Sequence, residues 1–503
     1  MQFTPPEVEL AGIAPELALV VTGLLILVVD ALLGARLGRA WLPYGATLGL
    51  SIAIAVAVIG WREVSSEGGA LQLSGMIAYD GFAIFVKVSL AVFGVLTVWL
   101  ARDYLGREGL EDAEFYALVL FAVSGMMFMA SAADLIVVFL ALETFSIALY
   151  VLVGFRRRSL LSQESAMKYF LLGSFSSAFF LLGIAMTYGA VGGTNLYGGD
   201  VAAGTAGIVE YLRSTPAADK DLLALASGLL IVGLGFKIAA VPFHSWTPDA
   251  YQGAPSPVTG FMAAGSKLAG FAALLRLLDA TLFSLRWDWR PLVIGIAVVT
   301  MIAGSVLAIV QEDVKRLLAY SSIAHAGFVL TGVIAANDNG ISGSLFYLAT
   351  YGITVLGAFA VVSVLAGRDE RRVRLSDYRG LFTESPLLAG TLTLLLLSLA
   401  GVPLTSGFVG KLVVFGAAID AGYSWVVVVG VVTSAIAAFF YLRVLVVMYM
   451  EEAPTSEPVV AAGPGVFSRA VVALTGVATL ALGLYWGPLI DLAESATFFF
   501  AGG

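Results

Sequence analysis

Apolar residues in this chain cluster on the scale of a bilayer rather than on the scale of one helix face. Runs of about 20 nearly uncharged residues, the length that crosses a membrane as a helix, recur throughout, separated by short polar interruptions. The pattern predicts about fourteen transmembrane helices, at residues 14–34, 40–60, 80–101, 113–131, 134–155, 164–190, 222–242, 257–283, 291–310, 316–336, 341–366, 385–421, 424–449 and 467–490. The longest interruptions, 191–221, 284–290 and 367–384, leave no room for a soluble domain. The expectation is an all-α membrane protein, with residues 1–503 forming a single polytopic membrane domain.

Two of these helices are interrupted. Helix 7 breaks at Ala240-Val241-Pro242 and helix 12 at Gly401-Val402-Pro403, because proline lacks the N–H a helix needs and clashes with the preceding turn. In hydrocarbon, the backbone groups freed by such a break must be satisfied by protein or trapped water. Each break has a lysine beside it, Lys237 before the first and Lys411 after the second. A second echo sets Glu164 and Lys168 before LLGSFSS against Glu312 and Lys315 before LLAYSSI. The members of each pair lie about five helices apart, an odd number, so the two units are expected to be inverted relative to each other. The division is helices 1–3 in 1–112, a first repeat of helices 4–8 in 113–283, a second of helices 9–13 in 291–449, and helix 14 in 467–490. Inverted repeats with broken helices are the architecture of transport proteins.

Composition narrows the chemistry. Hydrophobic residues make up 59% and charged residues 12%, with a mean hydropathy of +0.95. With no cysteine, disulfides, iron–sulfur clusters and thiolate zinc sites are excluded within the chain, and the two histidines, His244 and His325, do not suffice for a multi-histidine metal site. Neither a metal nor a cofactor is expected here. The net charge of -8 resides in loops, without a basic patch suited to nucleic acid. Glu7, Glu9 and Glu16 precede the first apolar run where a signal peptide carries basic residues, so no cleavable signal is expected. Arginine and lysine in the loops after helices 1, 3, 5, 9 and 11 outnumber those in the opposite loops roughly three to one, which places the first set in the cytoplasm and both termini outside.

The charges within the spans carry the chemistry. Glu143 lies mid-helix 5, Lys168 near the start of helix 6, Lys237 on helix 7, Lys267 on helix 8, His325 on helix 10 and Lys411 on helix 12. Each costs at least about 2.5–3.5 kcal/mol at a bilayer centre, so each must pair, hydrate or titrate. Burial disfavours an ammonium and an opposite charge restores it, so lysines with a movable acidic partner make a proton relay without any redox group. Static readings stand beside this one: Glu143 as half of a docking ion pair, Lys168 snorkelling to the surface, His325 bonding a neighbouring helix, and His244 capping carbonyls freed at Pro242. Asp80 and Asp134 fall at helix starts and read as caps. Lys87 reads as snorkelling or paired, and Tyr104, Trp246, Trp287, Trp289 and Trp486 as interfacial anchors.

VPFHSWTPDAYQGAPSPVTGF, followed by GSKLAGFAALLRLL, resembles the antiporter-like membrane subunits shared by complex I and multisubunit cation/proton antiporters. QEDVKRLLAYSSIAHAGF and GVPLTSGFVGKLVVF match too, in the family's order, and the resemblance spans roughly residues 80–450. Ala14-Pro15-Glu16, PDAYQGAPSPVT and DYRGLFTESPLLAG favour the complex I side, and Lys411 the branch with lysine rather than glutamate on helix 12. The resemblance implies Lys237 as the central proton carrier and Glu143 as its modulating carboxylate. It implies Lys267 and His325 as the onward path, Lys411 at the outward exit and Lys168 with Glu164 on the cytoplasmic side, with Pro242 and Pro403 marking the breaks. It further implies a bacterial inner membrane, and neighbouring antiporter-like and peripheral subunits that carry FMN and iron–sulfur clusters and use NADH and quinone. A multisubunit antiporter or membrane-bound hydrogenase subunit is the near alternative, and a non-pumping membrane scaffold the distant one.

Overall fold

The computed structural model describes residues 9–198, 207–214, 220–452, 465–496 and 498. Glu7 and the extreme chain ends expected to face outward fall outside these. The chain begins with α1 (Ala14–Leu37) and α2 (Leu42–Glu67), then an antiparallel hairpin of β1 (Ala70–Gln72) and β2 (Ile77–Tyr79). The hairpin pairs Ala70 with Tyr79 and Gln72 with Ile77, and three-residue strands are too short to announce themselves by alternation. There follow α3 (Gly81–Glu108), α4 (Ala113–Ser131), α5 (Leu135–Val153) and the long α6 (Leu160–Val191). Within the loop expected at 191–221 lies α7 (Ile208–Ser214), and α8 (Lys220–Lys237) leads to the first break.

Beyond that break come α9 (Trp246–Gly253), α10 (Ser256–Phe261) and α11 (Lys267–Leu275). The last two belong to one continuous span, Ser256–Thr281, wound as π-helix at Met262–Ser266 and Arg276–Thr281. Next are α12 (Arg286–Ile309), α13 (Val314–Ala335), α14 (Asp338–Leu365) and the single turn α15 (Leu381–Glu384). The second break separates α16 (Pro386–Ala400) from α17 (Ser406–Asp420), and α18 (Ser424–Met450), α19 (Val466–Leu484) and α20 (Gly487–Ser495) complete the chain. Among the described residues, 12 helices are long and apolar enough to cross a membrane. The interrupted segments stand outside that count: α8 carries Lys220, Asp221 and Lys237, and α16 and α17 have 15 residues each.

The centre is formed by Ser256–Thr281, α13 and α14, enclosed almost throughout, while α1, α6, α12 and α18 turn apolar faces outward. Several of the interior charges are paired, which offsets the cost of burying an isolated ion. Arg276 grips Asp80 with both terminal nitrogens at 2.8 and 2.9 Å, and Asp80 also accepts the Ala83 N–H as the α3 cap. Asp134 likewise caps α5 through the Ile136 N–H. Lys87 pairs with Glu16 at 2.8 Å, both buried, so it does not snorkel. Three expected interfacial anchors are corrected. Tyr104, Trp246 and Trp289 are buried, because their side chains face protein rather than the rim, whereas Trp287, on the same helix as Trp289, and Trp486 are exposed.

Candidate functional site: a row of buried amines

The first break places Lys237 at the last position of α8, buried among rings. Its Nζ donates to the Ser146 hydroxyl on α5 at 2.7 Å and lies 5.4–5.5 Å from the ring centres of Phe145, Tyr150, Tyr169 and Phe236. The carbonyl of Phe236 is taken by the Trp246 indole at 2.9 Å, while half-buried His244 lies against the Pro242 backbone in the break itself. Tyr169 of α6 stacks on Trp246 at 4.5 Å, and the Phe236 ring meets the same indole at 5.3 Å across the break. Pro242 is exposed at the turn. Glu143 forms no ion pair with Lys237: its carboxylate accepts the Ser177 hydroxyl on α6, while Ser146, one turn along α5, takes the ammonium. Glu143 is only half-buried, beside exposed Thr144.

On the side expected to be cytoplasmic, Lys168 is half-exposed and bridges two acids, Glu164 at 2.7 Å and Asp249 at 2.9 Å. Asp249, on α9, also accepts from Arg316 of α13 at 2.7 Å, so a charged chain joins α6 to α13 across the first break. Burial pushes the Asp249 carboxyl up, but the hydrogen bonds from Arg316 and Lys168 outweigh it and hold it below the usual carboxylate range. A second clasp lies deeper. Glu370, from the loop after α14, accepts from the Ser256 N–H and hydroxyl at 2.7 and 2.6 Å, from Lys315 at 2.8 Å and from Arg156 at 3.3 Å. An acid at a helix N-terminus is favoured by the helix dipole, and this one steadies the span that carries Lys267. Burial raises its carboxyl, and the Lys315, Ser256 and Arg156 contacts bring it below the ordinary value.

Lys267 is buried at the first position of α11, just after the π-turn, and donates to the Ser322 carbonyl of α13. Its ammonium also lies 5.7 Å from the Tyr351 ring. One turn further along α13, His325 is held by the Tyr347 hydroxyl at 2.6 Å on Nδ1 and the Tyr441 hydroxyl at 3.3 Å on Nε2. Tyr441 in turn bonds the Ser321 hydroxyl. His325, Tyr351, Ser398 and Leu399 line a cavity of about 10 Å³, near the space one water needs. Lys411 reaches back across the second break and donates to the carbonyls of Leu399 and Ala400 at 3.2 and 2.9 Å and to the Ser434 hydroxyl at 2.6 Å. Pro403 lies exposed in that break.

The structure thus brings Lys237, Lys267, His325 and Lys411 into the interior and leaves Lys168, Glu164 and Glu143 partly open. Sequence reasoning missed Ser146, Ser177, Asp249, Arg316, Glu370, Tyr347, Tyr441 and Ser434. Of these, only Ser146 gave a local signal, three residues from Glu143 and hence on the same helix face. Among the described residues, no group of three or more histidine, aspartate or glutamate side chains is placed to hold a metal ion.

An all-helical membrane body with a file of buried amines beside two broken helices defines an antiporter-like subunit. The chain belongs to the NADH:quinone oxidoreductase/Mrp antiporter transmembrane family, whose model matches residues 132–437. It is 44% identical to NADH-quinone oxidoreductase subunit N of Parafrankia sp. (strain EAN1pec) over 522 aligned positions, covering 98% of this chain and 96% of that protein. It is 47% identical to subunit N of Rhodococcus opacus (strain B4), over 89% of this chain and 81% of that one. Among solved structures it resembles a chain of respiratory complex I from Thermus thermophilus, with 35% identity, a TM-score of 0.78, and coverage of 96% of this chain and 100% of that chain. A chain of the Mrp complex from Dietzia sp. DQ12-45-1b shares the fold, with a TM-score of 0.80 at 22% identity, 96% of this chain and 97% of that chain being covered. The branch expected from Lys411 and the DYRGLF segment, that of subunit N, is the one these relatives represent.

Proposed function

We propose that this chain is the proton-translocating membrane subunit of a bacterial NADH:quinone oxidoreductase. The observation that carries the reading is the file of three buried ammonium groups, Lys237, Lys267 and Lys411, interleaved with hydroxyls and an imidazole and flanked by two helix breaks. A proton enters on the cytoplasmic side past Glu164, Lys168 and Asp249, and Lys237 carries it. Glu143 biases Lys237 by moving toward or away from it, a change that trades the Ser146 and Ser177 contacts for an ion pair. Lys267 and His325 pass the proton inward across the small cavity, and Lys411 releases it outward. His244 and the turns at Pro242 and Pro403 give the breaks their shape.

The architecture in this reading is fourteen crossings in two inverted five-helix repeats, with helices 7 and 12 broken and both termini outside the inner membrane. The chain supplies no redox centre. Electron transfer from NADH to quinone belongs to partner subunits bearing FMN and iron–sulfur clusters, and neighbouring antiporter-like subunits adjoin it in the bilayer. In the assembled complex, Lys237→Ala is expected to abolish coupled proton translocation by inside-out vesicles while the subunits still co-purify. Normal pumping by an assembled variant overturns the assignment. Co-purification with flavin and iron–sulfur proteins separates this reading from a cation/proton antiporter, which lacks them.

A further inference from the structure

A cavity of about 500 Å³ lies beside the end of α18 nearest the arginine-rich segment 367–384. Its polar wall carries Arg374, Arg379 and Arg443, and its apolar wall is the outer face of α18, where Phe439, Leu442 and Val446 are exposed. Arg379 is matched by Glu451 at 2.5 Å. Arg443 is not matched. Its guanidinium donates to the carbonyls of Ile309 and Gln311 at the end of α12, at 3.0 and 3.4 Å, and meets no carboxylate among the described residues. Arg374 is exposed and forms no ion pair there either, and exposed Glu312 at the rim pairs with neither.

Depth sets the chemistry that this pocket meets. The 27 residues of α18 span about 40 Å, the thickness of a bilayer with its headgroups. Arg443 lies seven residues, or about 10 Å, inside the Met450 end, just below the headgroup layer and within side-chain reach of lipid phosphates. An arginine there without an acid is costly unless an anion joins it. The carbonyls of α12 hold the guanidinium at the edge of a pocket that opens beside an oily groove, an arrangement suited to an anion with a hydrocarbon tail. Basic pockets between transmembrane helices hold anionic headgroups by this chemistry.

We propose that this pocket binds one anionic phospholipid, its phosphate between Arg443 and Arg374 and an acyl chain along Phe439 and Leu442. The lipid completes the charge balance at the junction of α12, α18 and the segment 367–384, and this role is independent of whether the amine file conducts protons. The test is a count of bound lipid on the purified, assembled complex by native mass spectrometry. The wild type is expected to retain about one phosphatidylglycerol or cardiolipin more than the Arg374→Gln/Arg443→Gln double variant, with Arg443→Lys keeping it. If the double variant does not assemble, the wild-type complex is stripped with detergent and reloaded. Phosphatidylglycerol then raises its melting temperature, and neither phosphatidylcholine nor inorganic phosphate does so. Equal lipid counts in wild type and double variant, equal stabilisation by phosphatidylcholine or inorganic phosphate, or a neighbouring subunit's polypeptide filling the cavity overturns the proposal.

Discussion

The two helix breaks hold their lysines in opposite ways. Lys237 ends the half-helix before its break, and a single hydroxyl, Ser146, is its hydrogen-bond partner within a cage of four rings. Lys411 begins after its break and turns back onto the end of α16, taking the Leu399 and Ala400 carbonyls together with Ser434. The negative end of a helix dipole favours a cation, and unsatisfied terminal carbonyls need donors. Lys411 is therefore part of the fold of its break. At the first break the Phe236 carbonyl is served by Trp246, which frees Lys237 from that structural duty. A lysine held by one bond changes partners at little cost, and one held by three is anchored. The pair thus divides the labour between a responsive group and a fixed one.

The comparison predicts different failures. Lys237→Ala is expected to remove translocation with little change in the melting temperature of the assembled complex. Lys411→Ala is expected to remove translocation and also to lower stability, by about 1–3 kcal/mol for the Leu399 carbonyl, since the Ser434 hydroxyl still donates to Ala400 at 3.3 Å. Equal melting temperatures for the two variants break the contrast. At the next level down, Ser146→Ala deletes the hydroxyl that holds Lys237 among the described residues and is expected to slow coupled turnover about tenfold, the scale of one hydrogen bond to a charged group. Ser434→Ala, which leaves Lys411 two carbonyls, is expected to slow it by less, and the ratio of the two rates in inside-out vesicles sharpens the comparison.

The smaller effects lie at the end of the bundle that carries Lys168 and Lys315, where the two echoed lysines also differ. Lys315 is buried against Glu370, whereas Lys168 stands half-exposed between Glu164 and Asp249. Because the Glu370 carboxyl is held below its ordinary value, its contribution to stability is complete above that ordinary value and is lost as the pH falls through the depressed one. Glu370→Gln is expected to lower the melting temperature at neutral pH and to flatten its decline toward acid, which a melting series across pH checks. Glu164→Gln is expected to change the melting temperature little, since exposed ion pairs contribute about 0–1 kcal/mol.

The sequence made the loud features legible. A lysine inside an apolar run, or a proline at its middle, violates what hydrocarbon permits, so Lys237, Lys267, Lys411 and both breaks were visible without coordinates. The silent partners were not. Serine and tyrosine are unremarkable in membrane helices, and Ser146 meets a lysine 91 positions away, while Tyr441 meets a histidine 116 positions away. Trp246 misled for the same reason, since an indole at a helix end looks alike whether it faces headgroups or a neighbouring ring.

By itself the sequence determined that the chain is helical, that it crosses the membrane many times, and where its helices are interrupted. Each follows from one rule applied locally: in oil every backbone polar group finds a partner within its own helix or at a marked break. Which helix stands at the centre, which charge meets which hydroxyl, and that Lys411 closes its own break while Lys237 does not were decided only by tertiary structure. Helices apolar on every side carry no stripe that names the neighbour they pack against.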